Sequence, residues 1–314
     1  MTGDMTAWGG ARVVVTGSAG FIGAQLVRAL AGEGARITGI DRRAPALDLP
    51  GRHLQLDLTA PDTAPLLRDV IGGADIVFHL AARPGVRGGG ADIERARKVD
   101  NVDAGRRILE LTPLAVPVVV TSSSSVYGGA RIEGSGVRAS CERDPLAPLG
   151  GYARSKAALE ELCARRVAGG GIVAVARPFT VAGEGQRPDM ALSRWLAAAA
   201  AGRPIEILGG LARSRDVTDV RDVVRGLVAL GARGESTTVN LGTGCTRTLG
   251  ELVDAVATVV GRPVTVEIRP AGAEEPPATR AHTARCRAVC GFVPQTDLLA
   301  VVRRQWRRCS SVAA

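Results

Sequence analysis

The feature that most constrains this chain is a run of small residues, Gly17, Ser18, Ala19, Gly20, Phe21, Ile22 and Gly23. It lies between an apolar stretch at Ala11–Thr16 and apolar residues at helical spacing over Phe21–Leu30. This order predicts strand, tight turn and helix. Gly17 permits the turn, Gly20 lets the backbone approach a pyrophosphate, and Gly23 allows close helix packing. The helix start, with Phe21 and Ile22, offers N–H groups to an anion. Asp41 follows the next apolar run, Arg36–Ile40, where a carboxylate can accept both hydroxyls of a ribose. That carboxylate repels a 2′-phosphate, which Arg42 and Arg43 offset in part, so the expected cofactor is NAD rather than NADP. Asp57 and Leu58 can reach the adenine edge, with a turn-capping Asp as the alternative. After the run Ala74–Leu80, the residues Leu80, Ala81 and Ala82 let a cofactor lie flat over the sheet edge, and His79 reads as a buried, satisfied histidine.

Further apolar runs at Val116–Thr121 and Ile172–Ala176 are separated by helix-like stretches at Ile93–Leu111 and Ser155–Val167. Such long spacings suit crossover connections, so a doubly wound, Rossmann-like α/β sheet, mostly parallel and covered on both faces, is expected. Beyond Pro178 the alternation weakens into helices at Leu192–Ala201, Asp219–Leu230 and Leu249–Val260 and a strand at Val264–Ile268. The 314 residues therefore divide into an expected dinucleotide-binding part, 1–178, and a smaller α/β part, 179–314, with about 217–242 returning to the main sheet. Gly88–Gly90 reads as a mobile loop.

Composition narrows the function classes. The segment Met1–Gly10 lacks the signal-peptide pattern, and no apolar run approaches membrane-spanning length, so a cytoplasmic enzyme with no membrane partner is expected. Forty basic against 31 acidic residues leave a net charge of +9. The excess is scattered arginine, with aromatic residues at only 3%, which argues against a nucleic-acid partner and for small anions. His282, Cys286 and Cys290 have the four-residue spacing of one helical face, but a fourth ligand is not evident, and Cys309 is distant. Helix packing and no metal are the expectation there, with the six cysteines reduced.

The chain has two tyrosines and two lysines, and Tyr152 and Lys156 stand four residues apart, one helical turn. A phenol serves as a base near neutrality when an adjacent cation stabilises its anion. Lys156 can also hold a nicotinamide ribose. The other tyrosine, Tyr127, closes the segment Ser122, Ser123, Ser124, Ser125, Val126, Tyr127, directly after a strand. Hydroxyls there can bond a substrate oxygen that changes from alcohol to ketone, or the serines simply end the strand as a turn.

With these residues the chain resembles the extended short-chain dehydrogenase/reductase family, specifically its NAD-dependent sugar-nucleotide epimerases and dehydratases. The resemblance runs from about Arg12 to Trp306. It implies Ser123 as the catalytic hydroxyl beside Tyr152 and Lys156, with Ser124 and Ser125 where 4,6-dehydratases carry Asp and Glu. The stretches His79–Arg87 and Arg177–Met190 are similar to the subgroup of UDP-glucuronate 4-epimerases. That likeness implies Arg187 and Arg215 on a nucleotide-sugar diphosphate, and Thr180, Arg83, Ser124 and Ser125 near the sugar. It also implies a homodimer. The sequence departs from the family at Ala182, in place of Tyr, at Gly150, in place of Ser, and at His282, where relatives tend to show Asp. The activity implied is inversion of C4 through a transient 4-keto sugar. A ketoreductase or a uronate decarboxylase would share the first step, and a non-catalytic NAD-binding scaffold would share only the fold.

Overall fold

Strand β1 (Arg12–Thr16) enters the core with four of its five residues buried and turns at Gly17 into helix α1 (Phe21–Gly32). The chain continues through β2 (Arg36–Asp41), β3 (Arg52–Gln55), α2 (Ala64–Gly72) and β4 (Ile76–His79). The computed structural model describes residues 8–85, 90–134 and 136–312, with the side chains of 308–312 excepted. Val86 and Arg87 of the stretch compared above, Gly88 and Gly89 of the expected loop, and the Cys309 side chain thus lie outside the described residues.

The expected helix over 93–111 is three pieces: α3 (Ala91–Arg97), a π-helical turn over Lys98–Asp103, and α4 (Ala104–Leu111). The widened turn carries Asp100 and Asn101 into buried positions, a use typical of π-helical insertions. Next come β5 (Val118–Thr121), a 3-10 turn at Ser124–Tyr127, and a hairpin of β6 (Arg131–Glu133) and β7 (Gly136–Arg138). Helix α5 (Gly150–Ala168) starts five residues before the periodic pattern suggests, which brings Tyr152 into its first turn. The remaining elements are β8 (Val173–Pro178), β9 (Thr180–Ala182), α6 (Ala191–Ala200), β10 (Ile205–Leu208), β11 (Ser214–Arg215) and β12 (Val217–Asp219). After them come α7 (Val220–Arg233), β13 (Thr237–Leu241), β14 (Arg247–Thr248), α8 (Leu249–Val260), β15 (Val266–Arg269), α9 (Ala284–Cys290) and α10 (Leu298–Val312).

Seven strands form the central sheet in the order β13-β8-β5-β4-β1-β2-β3. The ladders from β3 through β2, β1, β4 and β5 to β8 are all parallel. Successive side chains alternate across the sheet. Val14, Val77, Val118 and Val120 meet Leu67, Ile71, Ile108 and Leu159 in one buried cluster. On the other face the Phe78 ring lies 5.9 Å from that of Trp8, and a Cβ added to Gly231 of α7 would fall 2.6 Å from Phe78. This is the doubly wound α/β fold read from the sequence. Among the described residues, no helix is long and apolar enough to cross a membrane.

The chain separates into two compact units that are discontinuous in sequence. One holds the residues up to Val126, Gly150–Arg177 and Val224–Val239; the other holds Tyr127–Leu149, Pro178–Val223 and the residues from Asn240 onward. The second unit has its own core, in which Leu192, Trp195 and Leu196 of α6 pack with Ile205, Ile207, Leu252, Val253, Val256, Val301 and Val302. Short two-stranded ladders accompany it: β9 with β12, β10 with β15, and β11 with β14. His282 precedes α9 rather than lying within it, so it shares no helical face with Cys286 and Cys290. The four-residue spacing misleads because Thr283 is the cap at which the helix begins.

Candidate active site

The glycine turn is held by backbone bonds from the Gly17 N–H to the Ile40 carbonyl at 2.7 Å and from the Gly20 N–H to the Gly17 carbonyl at 3.0 Å. Gly17 has φ +74°, and a Cβ there would lie 2.7 Å from the Ala81 nitrogen. At Gly23 a Cβ would stand 2.1 Å from the Gly17 carbonyl oxygen. Conformation demands glycine at the first position and close packing demands it at the second. No side chain caps the start of α1 at Gly20, so the Phe21 end keeps its N–H groups for an anion.

Asp41 ends β2 beside this turn and accepts from the Ala19 N–H at 3.2 Å and the Arg43 N–H at 3.0 Å. These bonds orient its carboxylate at the end of the strand. Asp57 instead closes its own turn, accepting from the Thr59 N–H and hydroxyl at 2.8 and 2.7 Å, which holds its carboxyl below the usual range. Leu58 is buried in the sheet core, while Ala81 packs against it. The Leu80 N–H donates to the Thr16 carbonyl at 3.1 Å, and the Ala81 N–H to the Thr16 hydroxyl at 3.3 Å. Ala82 follows these two in the loop after β4, half-buried. Nδ1 of His79 pairs with the Thr16 hydroxyl at 2.8 Å, and Nε2 is buried without a hydrogen-bond partner among the described residues. Burial first, and the Lys156 charge second, push the imidazole down to about 3, so it is neutral at working pH. The buried, satisfied histidine of the sequence reading is therefore half satisfied.

Lys156 is 3% exposed, and its ammonium donates to the Thr121 carbonyl at 2.8 Å. Burial lowers its pKa to about 8, against a smaller raising influence of Cys163 and Glu160. One of three N–H donors is committed to Thr121, leaving two for other acceptors. Tyr152 lies one turn earlier on α5, and its carbonyl accepts from the Ser155 hydroxyl at 2.8 Å. Ser123 follows β5, with its Oγ accepting from the Ser125 N–H at 3.2 Å. Ser124 opens the 3-10 turn, and the Ser125 hydroxyl is buried without a hydrogen-bond partner among the described residues. Tyr127 is committed to structure: its hydroxyl donates to Asn240 Oδ1 at 2.7 Å.

Two buried networks behind these groups carried no motif in the sequence. Glu160 accepts from the Ser122 hydroxyl at 2.5 Å and from Arg177 at 2.9 and 2.5 Å. Asp100 accepts from Arg42 at 2.5 Å and Arg83 at 2.6 Å, so both expected ligand contacts engage one carboxylate. Asn101 accepts from the Arg83 N–H at 2.6 Å and donates to the Ser155 hydroxyl at 2.8 Å. A chain of bonds thus runs from the Arg83 segment to the Tyr152 turn. Polar residues interrupting an otherwise apolar helical face, Asp100 and Asn101, were the available signal.

In the second unit, Arg187 pairs with Asp189 at 2.8 and 2.5 Å. Arg215 donates to Glu275 at 3.3 Å and to the Ser214 carbonyl at 2.8 Å. The Thr180 N–H donates to the Asp216 carbonyl at 3.0 Å. The Asp216 side chain is fully buried. It accepts the Thr243 N–H and hydroxyl, the Gly244 N–H and the Ala281 N–H, all at 2.7–3.0 Å.

The glycine turn, the uncapped start of α1 and the oriented Asp41 fit a dinucleotide. Comparisons with known proteins agree. The profile of the NAD dependent epimerase/dehydratase family matches residues 13–242. A probable UDP-glucuronate 4-epimerase of Rhizobium meliloti (strain 1021) is 31% identical, over 91% of this chain and 93% of that protein. MoeE5, solved with UDP-glucose and NAD, superposes with a TM-score of 0.86 at 36% identity, covering 96% of this chain and all of that one. UDP-glucuronic acid 4-epimerase from Bacillus cereus, solved with UDP-glucuronic acid and NAD, gives 0.85 at 26% identity, covering 96% and 99%. By its glycine turn, its buried Lys156 and these matches, the chain belongs to the NAD-dependent epimerase/dehydratase family.

Proposed function

We propose that the protein is an NAD-dependent epimerase that inverts C4 of a nucleotide-diphosphate sugar through a 4-keto intermediate, with UDP-glucuronate or a related sugar as substrate. The observation that carries this reading is Lys156, buried yet anchored at Thr121, one helical turn from Tyr152. Its positive charge stabilises a Tyr152 phenolate, which takes the proton of the sugar 4-hydroxyl. Ser123 donates to the same oxygen as it becomes a carbonyl.

NAD, when bound, supplies a reversible hydride acceptor for C4. The start of α1 and the glycine turn hold its pyrophosphate, Asp41 its adenine ribose, and Lys156 its nicotinamide ribose. Arg187 and Arg215 suit the substrate diphosphate because guanidinium groups form paired, charge-assisted bonds. Both already pair with a carboxylate, so the diphosphate competes with Asp189 and Glu275. Ser124 and Ser125 offer hydroxyls near the sugar but no acid for expelling water, which opposes a dehydratase. The family resemblance supports a homodimer, and thiols that are buried at Cys163 and Cys286 and half-buried at Cys141 suit a cytoplasmic setting.

Incubation with a panel of nucleotide sugars, without added reductant, tests the reading. An unchanged mass with an inverted C4 proton signal is expected. Loss of water or carbon dioxide, or silence until a keto sugar and NAD(P)H are supplied, would overturn it.

A further inference from the structure

The chain has His282 where the family resemblance implies Asp, and the fold gives that histidine polar neighbours. Ser140 and Ala281 pair as a parallel bridge, with bonds from the Ser140 N–H to the Arg280 carbonyl at 2.8 Å and from the His282 N–H to the Ser140 carbonyl at 2.9 Å. Both paired residues are buried, at 5% and 2% exposure. Alternation along an extended chain then turns the next residue of each segment, Cys141 and His282, toward the outside together. Glu142 joins them. One ligand atom each from Cys141, Glu142 and His282 lies within 4.8 Å of the other two.

We propose that Cys141, Glu142 and His282 bind one zinc-like divalent ion, with water completing the coordination. A thiolate, a carboxylate and an imidazole form a zinc-type donor set, and tetrahedral coordination places donor atoms about 3.5 Å apart. Side-chain rotation brings ligand atoms that already lie within 4.8 Å of one another to that spacing. A thiolate and a carboxylate also balance a 2+ charge. The Cys141 thiol releases its proton to solvent as the S–metal bond forms.

The surroundings support the ligands as second partners do in metal sites. Glu142 Oε1 accepts the Asn240 N–H at 2.9 Å, while Oε2 faces the Cys141 sulfur at 3.8 Å. Asn240 also donates to the Ser140 carbonyl at 2.8 Å and accepts from Tyr127, so the backbone between the ligands is braced. The nearby cation Arg138 is paired with Asp144 at 2.8 and 2.9 Å. His282 is exposed and Cys141 half-buried, which leaves a path for the ion. Bound there, the ion clips together segments about 140 residues apart in sequence and stabilises the second unit.

The test is a titration of the full chain with Co²⁺ and Zn²⁺ in chelator-treated buffer. One equivalent of Co²⁺ is expected to produce a thiolate-to-cobalt charge-transfer band that Zn²⁺ removes, and Zn²⁺ should raise the melting temperature. Cys141→Ser should abolish the band, and His282→Ala should weaken binding about tenfold or more, while Cys245→Ser leaves both unchanged. Because His282 is exposed, its variant tests the site without disturbing the core. A band that survives Cys141→Ser, a band lost in Cys286→Ser, or no saturable binding below millimolar Zn²⁺ would overturn the proposal.

Discussion

Each unit has an apolar core, but the two differ in how their connecting segments are fixed. In the first, parallel strands rich in Val and Ile stack in order, and the nucleotide turn over Thr16–Gly23 is fixed by backbone contacts with the neighbouring strand ends at Ile40 and Ala81. In the second, a single fully buried carboxylate, Asp216, gathers the 243–244 segment and Ala281 through four hydrogen bonds. Regular ladders distribute stability over many equivalent bonds, whereas a polar hub concentrates it on one residue.

The second unit is most vulnerable at its polar hub. Asp216→Ala strands buried N–H donors and is expected to destabilise the protein by about 3–5 kcal/mol, with hydrogen exchange rising first around 243–244 and 281. Uniform exchange across both units would show that the hub is not local.

Tyr152→Phe separates chemistry from folding. Turnover should fall roughly 10²–10⁴-fold, while the unfolding free energy from urea denaturation changes by less than about 1 kcal/mol. Retained turnover would end the assignment of Tyr152 as the base.

Gly23→Ala probes the ladder-built unit at its tightest contact, where the added methyl meets the Gly17 carbonyl. A loss of about 1–3 kcal/mol and weaker NAD binding are expected by calorimetry, with no change in exchange around Asp216. A neutral result would show that the turn yields more easily than its packing implies.

The remaining effect is a pH dependence. Burial lowers the folded pKa of Lys156 from 10.5 to about 8, so between those values the unfolded chain holds more protons and folding gains stability as pH rises. Lys156→Met lacks this burden. It should be inactive yet more stable than wild type at pH 7, with the difference shrinking toward pH 10.5 in urea unfolding. A constant difference would mean that the ammonium is not desolvated.

What was legible followed the range of the interaction involved. The glycine turn, Asp41, Tyr152 and Lys156 are local signals, since a turn and a helical spacing span few residues. Asp100, Asn101 and Glu160 matter through partners 17 to 58 positions away, and no periodic pattern marks them. The expected single helix over 93–111 failed at the same place, where tertiary demand for buried polar groups overrode the apolar repeat with a π turn.

By itself the sequence determined a doubly wound α/β chain with a dinucleotide turn and a tyrosine–lysine pair, because backbone sterics and apolar periodicity act over short distances. Tertiary structure alone decided that Arg42 and Arg83 share Asp100, that Tyr127 is bound to Asn240, and that His282 leaves its expected helix to stand beside Cys141 and Glu142. Each of those outcomes depends on which buried polar atoms meet, and a buried polar atom takes whatever partner the folded chain brings within reach.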